Sequence, residues 1–195
     1  LRACSGSAVA RLRARISVFG GVGSETPAAV LSFSEATEPP PSVRLGLSRI
    51  QRSAEDPLAC HKTAAYLANL VIRQTSQDNG NYDDIIIDTR GNVAETSTAN
   101  IFLAIEDALV TPSPGCILPG IVRGWVLETA QTLAIRITQR EIRADELRTC
   151  HAGFVTNSII GIVGVSEVAG RRLADATEFP WFRALCGSYD KAVSV

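Results

Sequence analysis

Methionine is absent from all 195 residues, including the first position, which is Leu1. That start reads as a partial chain. Histidine occurs only at His61 and His151, so a zinc cluster or a Ser-His-Asp site has little to draw on. The cysteines (Cys4, Cys60, Cys116, Cys150 and Cys186) are odd in number, far apart and without paired metal-ligand spacing, which makes free thiols the expectation. Cys60, two residues before Lys62, reads as a small packing residue. Neither sign of charge dominates: the formal net charge is -1, leaving no basic field for a nucleic acid or an anionic membrane surface. No apolar run approaches the roughly 20 residues of a membrane helix, and the start lacks the charged-then-apolar layout of a signal peptide. The expectation is a cytoplasmic protein whose partners are small molecules. Internal repeats and low-complexity tracts are also missing.

What the chain does have is 46% hydrophobic and 20% charged residues, enough to bury a sizeable core. Leu12, Ala14, Ile16 and Val18 alternate with Arg11, Arg13, Arg15 and Ser17, the pattern of a half-exposed strand. After a turn over 20–24, residues 28–33 read as its hairpin partner. The run Glu35-Ala36-Thr37-Glu38-Pro39-Pro40-Pro41-Ser42 cannot supply ladder hydrogen bonds and reads as a stiff interdomain linker. Beyond it, residues 43–48 form a strand, and apolar Tyr66, Leu67, Leu70 and Val71 predict a helix over 62–77, closed by Asn79-Gly80. Two hairpins follow, 84–88 with 93–95 and 101–105 with 109–111. A helix over 121–134, a short one over 144–149, strands at 154–156 and 159–168, and a packing helix over 179–193 complete the reading. The sum is an α+β fold with boundaries at 1–36 (a two-stranded remnant), 37–42 (the linker) and 43–195 (a mixed-strand domain with few helices).

Four segments together carry a chemistry. Lys62 in His61-Lys62-Thr63-Ala64-Ala65-Tyr66 is a candidate amine nucleophile. Glu95 is an acid that can keep a pyridine nitrogen protonated, and Leu118-Pro119-Gly120-Ile121 opens a helix whose N-terminal amides can cradle a phosphate. Ile121 and Val122 offer backbone N–H groups there. Thr156, Asn157 and Ser158 add side-chain donors from a separate strand end, and Tyr66, one turn after Lys62, places a hydroxyl within reach. A lysine, an acid and a phosphate cup of backbone N–H groups and hydroxyls are what pyridoxal phosphate requires. Each piece alone keeps an ordinary reading: Lys62 a solvated charge, Glu95 an exposed strand residue, Pro119-Gly120 a helix start, Asn157 and Ser158 turn or cap residues, Tyr66 a core aromatic. Their order and number favour the chemical one.

The stretches HKTAAYLANL from His61, DTRGNVAETSTANIF from Asp88, TPSPGCILPGIVRG from Thr111 and FVTNSIIGIVGV from Phe154 resemble the class IV, fold-type IV pyridoxal-phosphate family. That family holds branched-chain and D-amino-acid aminotransferases and aminodeoxychorismate lyase. The resemblance implies a fold-type IV large domain preceded by the remnant of a small domain, a pyridoxal 5'-phosphate cofactor, and a homodimer. It implies Lys62 as the catalytic Schiff-base lysine, Glu95 as the pyridine-nitrogen partner, Ile121 and Val122 as phosphate-binding amides, Asn157 and Ser158 as further phosphate ligands, and Tyr66 near the ring oxygen. Two positions depart from it: members usually carry Thr where Val122 stands, which loses a hydroxyl, and Pro where Gly164 stands, read as loosening a turn. The family's small domain carries a phosphate-binding arginine, and the residues before Lys62 are too few to hold that domain. The first expectation is an amino-acid aminotransferase acting on an amino acid and a 2-oxo acid. The alternatives are 4-amino-4-deoxychorismate lyase, toward which the Thr-Asn-Ser triplet leans, and a non-catalytic or truncated homologue. No metal is expected.

Overall fold

The computed structural model describes residues 11–20 and 26–194. The chain divides into two compact units, Leu1–Pro39 and Pro40–Val195. In the first, β1 (Leu12–Phe19) and β2 (Ala28–Glu35) pair antiparallel, Leu12 opposite Glu35 and Phe19 opposite Ala28. The turn read at 20–24 lies largely outside the described residues. Alternation does form the strand, but the expectation of one protected face does not hold within this unit. Ile16, Val18, Val30 and Phe33 are all exposed, because a two-stranded ribbon has no layer to pack on.

Among the described residues the second unit is a nine-stranded mixed sheet with three α-helices. Its strands are β3 (Ser42–Leu47), β4 (Asp83–Ile87), β5 (Val93–Thr96), β6 (Asn100–Ile105), β7 (Ala108–Thr111), β8 (Ile137–Gln139), β9 (Cys150–Asn157), β10 (Gly161–Val168) and the short β11 (Arg171–Arg172). The order is β5-β4-β3-β10-β9-β6-β7-β8, with β11 on β10. The chain after β8 returns to the opposite edge, where the Val93 N–H donates to the Ile142 carbonyl at 2.7 Å and the Ala144 N–H to Gly91 at 3.0 Å. That return satisfies edge groups which would otherwise be open to pairing with another chain.

Period-two alternation sorts the apolar side chains into two layers. In β6, Ile101, Leu103 and Ile105 join one core with Val43, Leu45, Val155 and Val165, while Phe102 and Ala104 join a second with Phe154, Val126, Phe182 and Leu185. Phe102 and Phe154, opposite each other in β6 and β9, stack at 4.6 Å between ring centroids. The second core is covered by α2 (Ile121–Thr132) and α3 (Pro180–Val193). The hairpins and these two helices agree with the sequence reading. β8 and β11, which that reading lacks, are too short to show a period. Ser42, placed in the linker from sequence, is the first residue of β3.

Three details differ from the sequence reading. Helix α1 spans Leu67–Asp78, so Lys62 stands in the loop before it and Tyr66 is its N-cap. Its apolar stripe also faces outward: Leu67, Leu70 and Val71 are exposed, while Ile72 and Ser76 are buried. Gly164 lies inside β10, opposite Phe154 and Ser42, and not in a turn. A Cβ there would come within 3.1 Å of the Ala176 methyl, so this glycine admits close packing. Among the described residues no helix is long and apolar enough to cross a membrane.

Candidate active site

Glu95, in β5, is anchored through both carboxylate oxygens. Its Oε1 accepts from Arg52 Nη1 at 2.6 Å, and its Oε2 accepts from Asn100 Nδ2 at 3.0 Å and from the Leu118 N–H at 3.2 Å. The Arg52 and Glu95 side chains are 12% and 9% exposed, so little water screens the pair. Burial is the strongest influence on this carboxyl and raises its pKa, with Arg52 pulling the other way. Arg52 also donates to the Cys116 carbonyl at 3.1 Å, which joins the loop before α1 to the segment leading into α2.

Lys62 is exposed, and its Nζ lies 5.1 Å from the centroid of the Tyr66 ring, a cation–π distance. The Tyr66 hydroxyl donates to the Ser97 carbonyl at 3.0 Å. Burial raises the phenol pKa, and the Glu95 charge raises it further. Lys62 in turn lies close enough to Glu95 to favour its ionised form. Lys62, Tyr66 and Glu95, spread over 34 positions of sequence, therefore share one electrostatic neighbourhood.

The turn before α2 meets the same acid. Gly120 is the N-cap and no side chain caps the helix; the first turn carries no acidic residue, and the Ile121 and Val122 N–H groups have no partner among the described residues. Such amides form an anion cradle. Asn100 holds the cradle against Glu95 by donating from Nδ2 to the Leu118 carbonyl at 2.8 Å as well as to the acid. A Cβ on Gly120 would stand 2.1 Å from Asn100 Oδ1. Gly120→Ala is therefore expected to dislodge Asn100 and cost about 1–3 kcal/mol of stability. Thermal unfolding together with a phosphate-ligand titration checks this, and an unchanged midpoint with unchanged affinity would count against the cradle.

The strand-end triplet is divided in its roles. Thr156 pairs with Asn100 across β9 and β6, so both side chains lie on one face, and the Thr156 hydroxyl is buried with no partner. Asn157 accepts at Oδ1 from the Ile159 and Ile160 N–H groups at 2.8 and 2.9 Å and donates from Nδ2 to the Thr98 carbonyl at 3.1 Å. One Nδ2 hydrogen is all its side chain retains for a ligand. Ser158 is exposed at the turn that follows. Ile121 is exposed and Val122 buried, as befits residues that would contribute amides and not side chains.

Arg52 and Asn100 are members of the site's framework that sequence reasoning did not single out. Arg52 carries no local signal, since its partner is 43 positions away. Asn100 sits inside a run rich in Ser and Thr, where its type reads as a turn former. Among the described residues no cluster of three His, Cys, Asp or Glu side chains could hold a metal ion.

An amine, a buried acid and an uncapped helix start, mounted on a mixed sheet in this order, define a class of protein. The chain belongs to the amino-transferase class IV family, whose model matches residues 2–168. It is 30% identical over 126 residues to branched-chain-amino-acid aminotransferase-like protein 2 of Arabidopsis thaliana, a match covering 64% of this chain and 22% of that protein. Its fold is that of 4-amino-4-deoxychorismate lyase from Pseudomonas aeruginosa, with a TM-score of 0.81 and 23% identity over 93% of this chain and 72% of that one. The branched-chain aminotransferase from Thermoproteus uzoniensis is also similar, at a TM-score of 0.76 and 23% identity over 85% of this chain and 56% of that one. The chain thus spans less than a quarter of the Arabidopsis relative.

Proposed function

We propose that the protein binds pyridoxal 5'-phosphate at Lys62 and transfers an amino group from an amino acid to a 2-oxo acid. The observation that carries this is the shared neighbourhood of Lys62, Tyr66 and Glu95, tied through Asn100 to the uncapped start of α2. The donor set fits the cofactor. A carboxylate has about four acceptor sites, and Glu95 uses three, so one remains for a pyridine N–H. The Thr156 hydroxyl, buried without a partner on the face it shares with Asn100, supplies the orphaned polar atom that a bound phosphate would answer.

When bound, the cofactor supplies an electron sink for the pair left as a proton leaves the substrate α-carbon. Every other task falls to the chain. Lys62 Nζ carries that proton, and its exposure leaves it free to move. Glu95, held by Arg52, would face the ring nitrogen and stabilise its positive charge. The Ile121 and Val122 amides and the Ser158 hydroxyl hold the phosphate, with Asn157 contributing its remaining Nδ2 hydrogen. Tyr66 sets one wall beside Lys62.

On this reading residues 1–36 close a smaller domain, 37–42 connect it, and 43–195 hold the cofactor. It also carries a cytoplasmic location and a homodimer, for which the outward apolar face of α1 is the supporting observation. A monomer in sedimentation would remove the dimer from it. Lyase chemistry on the same site is the second reading, favoured by Thr156-Asn157-Ser158 at the phosphate end. Two assays separate the readings: pyruvate from aminodeoxychorismate with no amino acceptor present defeats transamination, whereas amino transfer between an amino acid and a 2-oxo acid defeats the lyase. A protein that stays colourless in excess cofactor is a non-catalytic homologue.

A further inference from the structure

Asp83, at the first position of β4, is 1% exposed and touches none of the residues assigned to the cofactor. Its carboxylate is nevertheless heavily hydrogen-bonded. Oδ1 accepts from the Asp84 N–H at 2.8 Å, the Ser97 hydroxyl at 2.5 Å and the Ser97 N–H at 3.3 Å. Oδ2 accepts from the Thr98 hydroxyl at 2.7 Å and the Thr98 N–H at 3.1 Å, with Arg73 Nη1 at 3.5 Å as its ion-pair partner. Four of these bonds go to two consecutive residues, the first two of the three that connect β5 to β6. A buried carboxylate that lost these donors would carry a large desolvation cost, so this contact is made as a unit or not at all.

With their N–H and hydroxyl groups turned to Asp83, Ser97 and Thr98 present their carbonyls elsewhere. The Ser97 carbonyl accepts from the Tyr66 hydroxyl and, at 2.7 Å, from Asn69 Nδ2 of α1. The Thr98 carbonyl accepts from Asn157 Nδ2. The same pair begins two residues after Glu95 and ends two before Asn100. We propose that Asp83 is a positioning residue of this site: it fixes the Ser97–Thr98 connection as the common mount on which Tyr66 and Asn157 are held. Resting on the cofactor reading above, this assigns the spacing between the ring wall and the phosphate end to a residue that meets neither. The adjacent acid cannot substitute, because alternation along β4 turns the Asp84 side chain to the opposite face, against Gly46.

The test is a double-mutant cycle on pyridoxal phosphate affinity, read by tryptophan quenching, with amide exchange over 96–100 followed in the cofactor-free protein. Asp83→Asn keeps the shape but turns an N–H₂ toward donors, so one half of the clamp opens. It is expected to weaken the cofactor Kd at least tenfold and to speed exchange at Ser97 and Thr98. In a Tyr66→Phe background, where the mount has already lost that load, the loss on Asp83→Asn is expected to shrink by half or more, since coupled residues are not additive. An equal fold-loss in both backgrounds marks general loosening and overturns the proposal, as does a Kd within twofold of wild type. If Asp83→Asn fails to fold by circular dichroism, Ser97→Ala, which removes one clamp bond and keeps the backbone one, takes its place in the cycle under the same criteria. A wild-type protein that takes up no cofactor overturns this inference together with the reading beneath it; normal wild-type uptake with an unaffected variant overturns this inference alone.

Discussion

Lys62→Ala is expected to yield a colourless protein that folds normally and has lost at least about 10³-fold in turnover, because on the proposed reading nucleophile and proton carrier vanish together. The contrast between the two effects is what makes the experiment decisive. Lys62 is exposed, forms no ion pair among the described residues, and contributes one cation–π contact with Tyr66. Such a contact is worth about 0.5–1 kcal/mol at an exposed site. A domain of this size shifts its midpoint by roughly 2–4 °C per kcal/mol, so the variant should melt within about 4 °C of wild type. Wild type should be yellow with cofactor, and borohydride should bleach it while fixing the cofactor to the chain. A colourless wild type, or a yellow Lys62→Ala that still bleaches, places the covalent attachment elsewhere or nowhere.

How much of this site was legible in the sequence depends on the range over which each signal acts. The helix start at Ile121 and the two hairpins follow from local rules, since turn residues and period-two alternation specify them within a few positions. The start of α1 did not follow, because Tyr66 and Leu67 extend the apolar pattern toward Lys62 while the chain there is held in a loop by other partners. The Tyr66 hydroxyl reaches Ser97, 31 positions on, and Arg52 in the preceding loop reaches Glu95. Nor does spacing reveal which face of an amphipathic helix is inward: α1 buries Ile72 and Ser76 and exposes Leu67 and Leu70. Lys62 and Glu95 could be singled out because their chemistry is written in residue type, and the α2 amides because Pro119-Gly120 marks a helix start. Arg52, Asn100 and Asp83 act through partners brought near only by the sheet, and an arginine, an asparagine and an aspartate have many commoner uses.

Glu95 separates two effects that one substitution would merge. Glu95→Ala leaves Arg52 facing only the Cys116 carbonyl and Asn100 Nδ2 only the Leu118 carbonyl, and it strips the Leu118 N–H of its acceptor. Removing one member of a buried pair typically costs about 3–5 kcal/mol, which here corresponds to a fall of roughly 6–20 °C in the unfolding midpoint. Glu95→Gln instead keeps an acceptor for Arg52 and the size of the side chain, so it should melt closer to wild type. What it loses is the charge. With a neutral amide opposite the ring nitrogen, the electron sink weakens, and turnover is expected to fall about 10²–10³-fold while the protein stays yellow and borohydride-sensitive, as expected for the loss of one preorganised charge interaction. The pH profile gives the sign. Burial holds the Glu95 pKa above the ordinary carboxylate value in the cofactor-free protein, and a pyridinium beside it would pull that pKa back down, so cofactor affinity should fall on acidification as the free protein takes up the Glu95 proton. Glu95→Gln has no proton to gain and should lack that acidic limb. A wild-type affinity profile identical to that of Glu95→Gln on acidification, or a Glu95→Gln protein as fast as wild type, would remove Glu95 from the ring nitrogen and leave it a purely structural partner of Arg52.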